Sequence, residues 1–393
     1  FFDMGCGNSN ANVATDQSAG GARQQSLSPA ENGHHVIQDR IAASAVEWVA
    51  MNAKLDTGVA VDREYAIGFI ADQDQDSKVA EDRWQSFFGQ GLLRRKGSKY
   101  TITMQDPHKV WSGRGDKSGR GMELSLLHCF GGKLLTACDR TGDVYEICKG
   151  RGPEDEGSDN AYHLKTLTTM GEDAQPVTLL LGDGSNPKKP LKCEWSTVKD
   201  EQLVVGSTGK ERTDDDGNVV HQGEMWVKTI TTSWGVTNVD WIKNYNVLRE
   251  VAKCPHGTGY MIHESACWSD VHERWFFFPR KLSRLPYDEV ADHHKCINLM
   301  ISCDAEFTPG SVLLQPYLTC LPSRGASDFF FIPNTNDTHI FVLRTEEGEA
   351  GMMSYASVID LCGTILMEEQ SVGAFKYEGA EVIDDFLADP VEF

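Results

Sequence analysis

Five positions, Ser125, Glu194, Glu264, Ser327 and Glu378, each fall at a short strand-like run and recur at intervals of 51 to 70 residues. Recurring polar residues of this kind meet in a folded chain when the segments around them are repeats that close on themselves. The pattern points to a ring of sheets with oxygen donors converging on its axis. The surrounding texture agrees with this. From Tyr65 onward, short Val, Ile, Leu and Phe runs are punctuated by Gly, Asp and Asn, as in LLTACDRTGDVYEIC, KDEQLVVGSTGK and THIFVLRTEEGEAGMMSYASVIDLCGTIL. Each reads as two strands around a turn. So many hairpins with so little helix indicate an all-β sandwich, barrel or propeller, and the spacing favours a five-bladed β-propeller of four-stranded blades.

The N-terminal part reads differently. Residues 5 to 33 are rich in Gly, Ser, Asn, Ala and Gln and hold almost no large apolar residue, so burial cannot offset their ordering entropy. A disordered tail over 1–36 is expected. A short helical or extended lead-in over 37–60 follows, because Ile37, Ile41, Ala45, Trp48 and Val49 fall at helical spacing. The propeller then takes 61–393. Residues 150–160 and 282–295 are too charged for blade interiors and are expected to be surface loops.

Charge narrows the partners. A net charge of −21 argues against nucleic acid, whose binding rests on clustered Lys and Arg. A phosphate ester bound by so anionic a protein needs a basic pocket or a divalent cation to invert the local field, and calcium would do so. No apolar run approaches the roughly 18 to 20 residues of a membrane span. The scattered cysteines Cys129, Cys138, Cys193, Cys267, Cys303 and Cys362 lie beside apolar runs and read as buried free thiols.

Longer strings carry a resemblance. GRGMELS (119–125), KCEWSTVKDEQLVVGSTGKE (192–211), YMIHESACWSD with RWFFFPRK (260–281), SDFFFIPNT (327–335) and KYEGAE (376–381) occur in this order. Together with IADQDQDS (70–77), CDRTGDVYEI (138–147) and WIKNYNVL (241–248), they resemble the calcium-activated nucleotidase, or apyrase, family from about Tyr65 to Glu381. The resemblance implies a propeller with a central calcium site, held by Ser125, Glu194, Glu264, Ser327 and Glu378, one from each blade. Oxygen donors of these types suit calcium, which takes six to eight of them. It also implies calcium-dependent hydrolysis of nucleoside di- and triphosphates with release of inorganic phosphate. The alternative is a calcium-stabilised propeller acting as a non-catalytic interaction module. Residues that metal binding does not require separate the two: Asp72, Asp74, Glu123 and Arg280.

Asp72, Asp74 and Asp76 alternate with Gln73 and Gln75 after an apolar run, so a continuing strand would turn all three carboxylates to one side. Such crowding needs a cation, a water network or open solvent. The family's Ala-Asp-Leu-Asp segment assigns Asp72 and Asp74 to the active site. Arg280 ends WFFFPR, where a forked guanidinium suits phosphate. Glu123 precedes Ser125 by two residues, so on a strand both would face the channel, which makes Glu123 a candidate to orient the attacking water. Asp139 and Arg140 in CDRTG, and Lys210 and Glu211 in STGKE, are candidates for the phosphate and base ends of a cleft, or are turn residues. The aromatic that follows GKE in the family is Arg212 here.

Other signals point elsewhere. SGRGDKSGRG (112–121) lacks the context of a phosphate loop and reads as a flexible rim. His293 and His294 beside Cys296 have no second half-site at zinc spacing, and the run from Asp214 to Asn218 reads as a hairpin turn. The partners expected are nucleoside di- and triphosphates, with a homodimer allowed. By resemblance the protein belongs outside the cell or in the secretory lumen, where the sequon Asn336-Asp337-Thr338 would matter. The alternative is a lipid anchor at a cytoplasmic membrane face, since Met4-Gly5-Cys6-Gly7-Asn8-Ser9 fits an acylation start if Met4 initiates.

Overall fold

The last long strand of the chain, Lys376–Val382, pairs with the first, Arg63–Asp72, and closes a five-bladed β-propeller. The computed structural model describes residues 29–53, 62–112, 115–116, 118–152, 161–214, 218–254, 256–257, 259–348 and 351–388. The stretch 1–28, with most of the tail expected over 1–36 and the acylation start, lies outside the described residues.

Blade one takes Lys376–Val382 as its innermost strand, followed outward by Arg63–Asp72 and Arg83–Lys96, with Lys99–Met104 and His108–Ser112 sharing the outer edge. Blades two to five each hold four strands in chain order and start with Leu124–Phe130, Trp195–Lys199, Tyr260–Ser269 and Arg324–Phe331. These five innermost strands touch one another in a closed circle. All pairings are antiparallel, and the start of each innermost strand faces the end of the second, as in Leu124 opposite Cys138 and Asp72 opposite Lys376. One face of the propeller therefore gathers two things from every blade: the entry to the innermost strand, and the connection from second to third strand.

Aromatic side chains fill the spaces between blades. Trp195, Trp241, Trp275, Phe277 and Phe307 pack in one cluster spanning blades three and four, with Trp241 edge-on to Trp275 at 4.9 Å. Tyr65, Phe69, Phe341 and Tyr377 do the same for blades one and five, across the closing seam. A buried Phe or Trp side chain of this kind contributes on the order of 3 kcal/mol or more when compared with its loss to Ala.

Helix α1, Pro29–Asn52, is longer than expected and begins inside the stretch read as tail. It lies along Leu313–Pro316, the outermost strand of blade four. Trp48 Nε1 donates to Leu314 O at 3.2 Å, Arg40 Nε donates to Val312 O at 3.0 Å, and Leu314 N donates to Ser44 Oγ at 3.1 Å. The helix thus satisfies backbone groups that an outermost strand leaves unpaired. From Ile37 onward its buried positions are Ile37, Ser44, Trp48 and Met51, whereas Ala45 and Val49, expected on the apolar stripe, are exposed. A second helix, α2 (Ile242–Val251), joins blades three and four and carries the buried Arg249. The loop expected over 282–295 contains one short helical turn, Glu289–Asp292.

Candidate active site

Each of the five recurring positions sits at the same place in its blade. Glu194 immediately precedes the innermost strand of blade three and its N–H donates to Gly206 O at 2.9 Å. The other four fall where the ladder between first and second strands slips. The register passes from Leu124 to Leu127 past Ser125, from His263 to Ala266 past Glu264, from Ala326 to Asp328 past Ser327, and from Tyr377 to Gly379 past Glu378. A bulge leaves a residue outside the regular pairing and re-aims its side chain. Four blades use it at equivalent positions, so these groups leave the regular alternation of the sheet near the same end of their innermost strands.

The convergence is visible in the contacts. Ser125 Oγ donates to Glu378 Oε2 at 3.1 Å, joining blades two and one. Glu378 Oε1 lies 3.1 Å from Lys376 Nζ and 3.8 Å from Arg280 Nη1, and Arg280 Nη1 also donates to Glu264 Oε2 at 2.5 Å. Lys192 Nζ bridges Glu194 Oε1 and, at 3.0 Å, Asp139 Oδ2. Ser327 Oγ is 2.9 Å from Thr345 Oγ1 and donates to Tyr377 O at 3.0 Å. Burial pushes the Glu194 and Glu378 carboxyls up, Glu378 to about 8; Lys192 and Lys376 respectively oppose the shift, and the neighbouring carboxylates, Glu264 among them, reinforce it. Buried acids that crowd one another in this way favour a bound cation or proton.

Next to this ring, on the entry face, stands a second acidic group. Asp72, Asp74 and Glu123 each offer an oxygen within 4.8 Å of the others, the one such metal-competent cluster among the described residues. The strand ends at Asp72, and the chain turns through a 3-10 helix at Asp74–Ser77. The expected strand alternation therefore stops before Asp76, which is exposed, and Asp74 reaches the cluster by a left-handed residue with φ 46°. Its N–H donates to Asp72 Oδ1 at 2.7 Å. Met122, just before Glu123, also has positive φ, at 57°. Such backbone is held where surrounding contacts over-determine it. Arg120 clamps Glu123 with two hydrogen bonds of 2.6 and 2.5 Å and reaches Asp74 at 3.2 Å. Burial raises the Glu123 carboxyl to about 7, with Arg120 opposing and Asp139 and Asp72 adding to it. Asp72 is likewise raised by burial, with Lys376 opposing.

A scan against family models matches residues 73–383 to the Apyrase family. Soluble calcium-activated nucleotidase 1 of Mus musculus is 37% identical over 322 residues, which is 81% of this chain and 74% of that protein. An apyrase of Cimex lectularius is also 37% identical, over 81% of this chain and 82% of its own. Apyrase apy-1 of Caenorhabditis elegans is 34% identical over 83% and 85%. The chain belongs to the apyrase family. It is accordingly an enzyme of the nucleotide phosphohydrolase class, and the reading as a non-catalytic module falls away.

Within this apyrase fold the structure brings together most residues singled out from sequence. Ser125, Glu264, Glu378 and Arg280 share one network with Asp72, Asp74 and Glu123 through Lys376 and Arg120, whereas Lys192 joins Glu194 to Asp139 as a separate group and Ser327 meets Thr345 and the Tyr377 carbonyl. Arg140 stands at their margin, paired with Asp116 at 3.0 Å. Lys210 and Glu211 are apart from the ring. Glu211 is locked by the buried Arg249 of α2, with a second contact of 3.2 Å, and Lys210 Nζ donates to Glu211 O at 3.1 Å. His293 and His294 are exposed and join no metal-competent cluster among the described residues.

Four charged residues of the site escaped the sequence reading: Arg120, Lys192, Lys376 and Glu347. Arg280 Nη2 donates to Glu347 Oε1 at 2.8 Å, and Lys376 Nζ lies 3.8 Å from the same oxygen. A usable signal was present for two of them. Lys192 and Lys376 each stand two residues before a ring glutamate, as Lys-Cys-Glu and Lys-Tyr-Glu.

Proposed function

We propose that this apyrase hydrolyses nucleoside di- and triphosphates in a calcium-dependent reaction that releases inorganic phosphate at the entry face of the channel. The observation that carries this reading is the interleaving of buried carboxylates with Lys192, Arg280 and Lys376 around one axis. The three cations supply positive charge for phosphoryl oxygens in a protein that is otherwise strongly anionic.

The donor set fits calcium: hard oxygens at the innermost strands of five blades, with the buried Glu194 and Glu378 carboxyls crowded by neighbouring acids. Ser125, Glu194, Glu264, Ser327 and Glu378 would hold it. When bound, calcium neutralises phosphoryl oxygens and polarises the phosphorus they surround. The chain's own groups do the rest. Lys376 and Arg280, fixed between carboxylates, are poised to exchange those partners for phosphate oxygens. Glu123, held in place by Arg120, orients a water toward the terminal phosphorus and accepts its proton as the phosphoanhydride bond breaks. Asp72 and Asp74 anchor Lys376 and bound the water's position.

Phosphate release from a panel of nucleoside diphosphates in millimolar calcium tests the reading. Turnover is expected with calcium and lost on chelation. Equal activity in excess EGTA with magnesium present would remove the calcium dependence.

A further inference from the structure

We infer that a groove between helix α1 and the rim of blade four binds a single fatty acid, its acyl chain lying in the groove and its carboxylate held by Arg284 and Lys295. This site is separate from the nucleotide chemistry proposed above and does not depend on it.

Helix α1 is tied to Val312 and Leu314 through Arg40, Ser44 and Trp48. Nearer its N-terminus, Ile37, Gln38 and Ile41 instead form one wall of a groove of about 520 Å³. The other walls are blade-four segments around Leu282, Ile297 and Pro316. A volume of this size is that of a small-molecule site. The backbone of these walls is already paired. Leu282 N donates to Lys295 O at 3.0 Å, Ile297 N to Arg280 O at 3.1 Å, and Tyr317 N to Asn298 O at 3.1 Å. The groove therefore presents side chains rather than a bare strand edge, and an extended peptide finds no ladder to join.

Its chemistry is divided. Ile41, Leu282, Leu299 and Pro316 give it apolar surface. The charged or titratable residues on the lining are Arg284, His294 and Lys295 together with the thiols of Cys296 and Cys320, and no Asp or Glu among the described residues lines it, in a chain with 58 acidic residues. Arg284 Nε is buried and has no hydrogen-bond partner among the described residues. A buried donor left in this way is costly until a ligand oxygen meets it. Apolar walls beside unmatched positive charge suit one acyl chain with one anionic head. A neutral lipid would leave the cations unmatched, and a polyphosphate would leave the apolar walls uncovered.

The test titrates the full chain in calcium with cis-parinaric acid, a fluorescent fatty acid, and displaces it with dodecanoate or with 1-dodecanol. Wild type is expected to bind one cis-parinaric acid per chain and to prefer dodecanoate over the alcohol by about tenfold or more, as a charge-assisted hydrogen bond would give. Gln38→Trp places a bulky ring in the groove and should weaken cis-parinaric acid binding by about tenfold or more. Arg284→Gln combined with Lys295→Gln should weaken dodecanoate to the level of the alcohol and leave the alcohol unchanged, a pattern that loss of folding would not produce. Absence of saturable binding by wild type overturns the inference, as does equal affinity for acid and alcohol. Binding that survives Gln38→Trp would put the acyl chain elsewhere on the protein and overturn it too. Sedimentation with and without dodecanoate tests a second copy of the chain as occupant. A dimer that excludes cis-parinaric acid and that dodecanoate does not dissociate would overturn the inference by assigning the groove to an interface.

Discussion

Lys376 Nζ stands 2.8 Å from Asp72 Oδ2 across 304 residues of sequence, at the seam where the last long strand joins the first. The same ammonium contacts Asp74 and Glu378, so one cation ties the ring to the acidic cluster beside it. Lys376→Met is expected to lower kcat/KM for nucleoside diphosphates by at least tenfold, and to destabilise the protein by about 3 to 5 kcal/mol because Asp72 is left buried without its partner. Steady-state kinetics and denaturant unfolding measure the two effects. A stable, fully active variant would remove Lys376 from both roles.

Arg280 divides its fork between Glu264 and Glu347. A lysine can hold only one of these carboxylates and presents phosphate with a point charge. Arg280→Lys is expected to fold and to lose at least tenfold in kcat/KM, equivalent to about 1.4 kcal/mol. Wild-type kcat/KM would restrict Arg280 to an ion pair within the fold.

Glu378→Gln tests the ring. The amide keeps an oxygen but removes a charge, so the calcium concentration that gives half-maximal thermal stabilisation should rise. Without calcium the melting temperature should hold or increase, because Glu264 and Asp72 crowd this carboxyl. A melting scan against calcium reads both; an unchanged midpoint would place Glu378 outside the ion's coordination.

Glu347 offers a pH signature. Burial alone would raise its carboxyl, but Arg280 and Lys376 hold it down to about 2, against an ordinary 4.5. A depressed carboxyl stabilises the folded state above its unfolded pKa, and that contribution is lost as the pH falls through the folded value. Wild type should therefore melt above Glu347→Gln at neutral pH, with the gap closing as the pH drops from about 4.5 toward about 2. A constant gap across this range would show that Glu347 is not held charged by these cations.

Much of this was legible in the residues. Turn punctuation and apolar runs carried the blades, and the quoted strings carried the carboxylates, because those features are local. What sequence could not show depends on partners far along the chain. Arg120 and Glu347 look like surface charges until Glu123 and Arg280 are placed against them. The bulges at Ser125, Glu264, Ser327 and Glu378 leave no mark in composition, since each is a slip relative to a neighbouring strand. Glu211, in contrast, carries a catalytic-looking string and is tied up by α2.

The seam has a consequence for biosynthesis. The innermost strand of blade one is synthesised after every other described strand of the propeller, and until it arrives Asp72 lacks the Lys376 ammonium and Arg63–Asp72 lacks its inner neighbour. The nascent molecule is an open arc of sheets with two bare edges. Strand docking and assembly of the charged centre are a single late event, so a chain stopped short of Lys376 lacks both its closure and its chemistry.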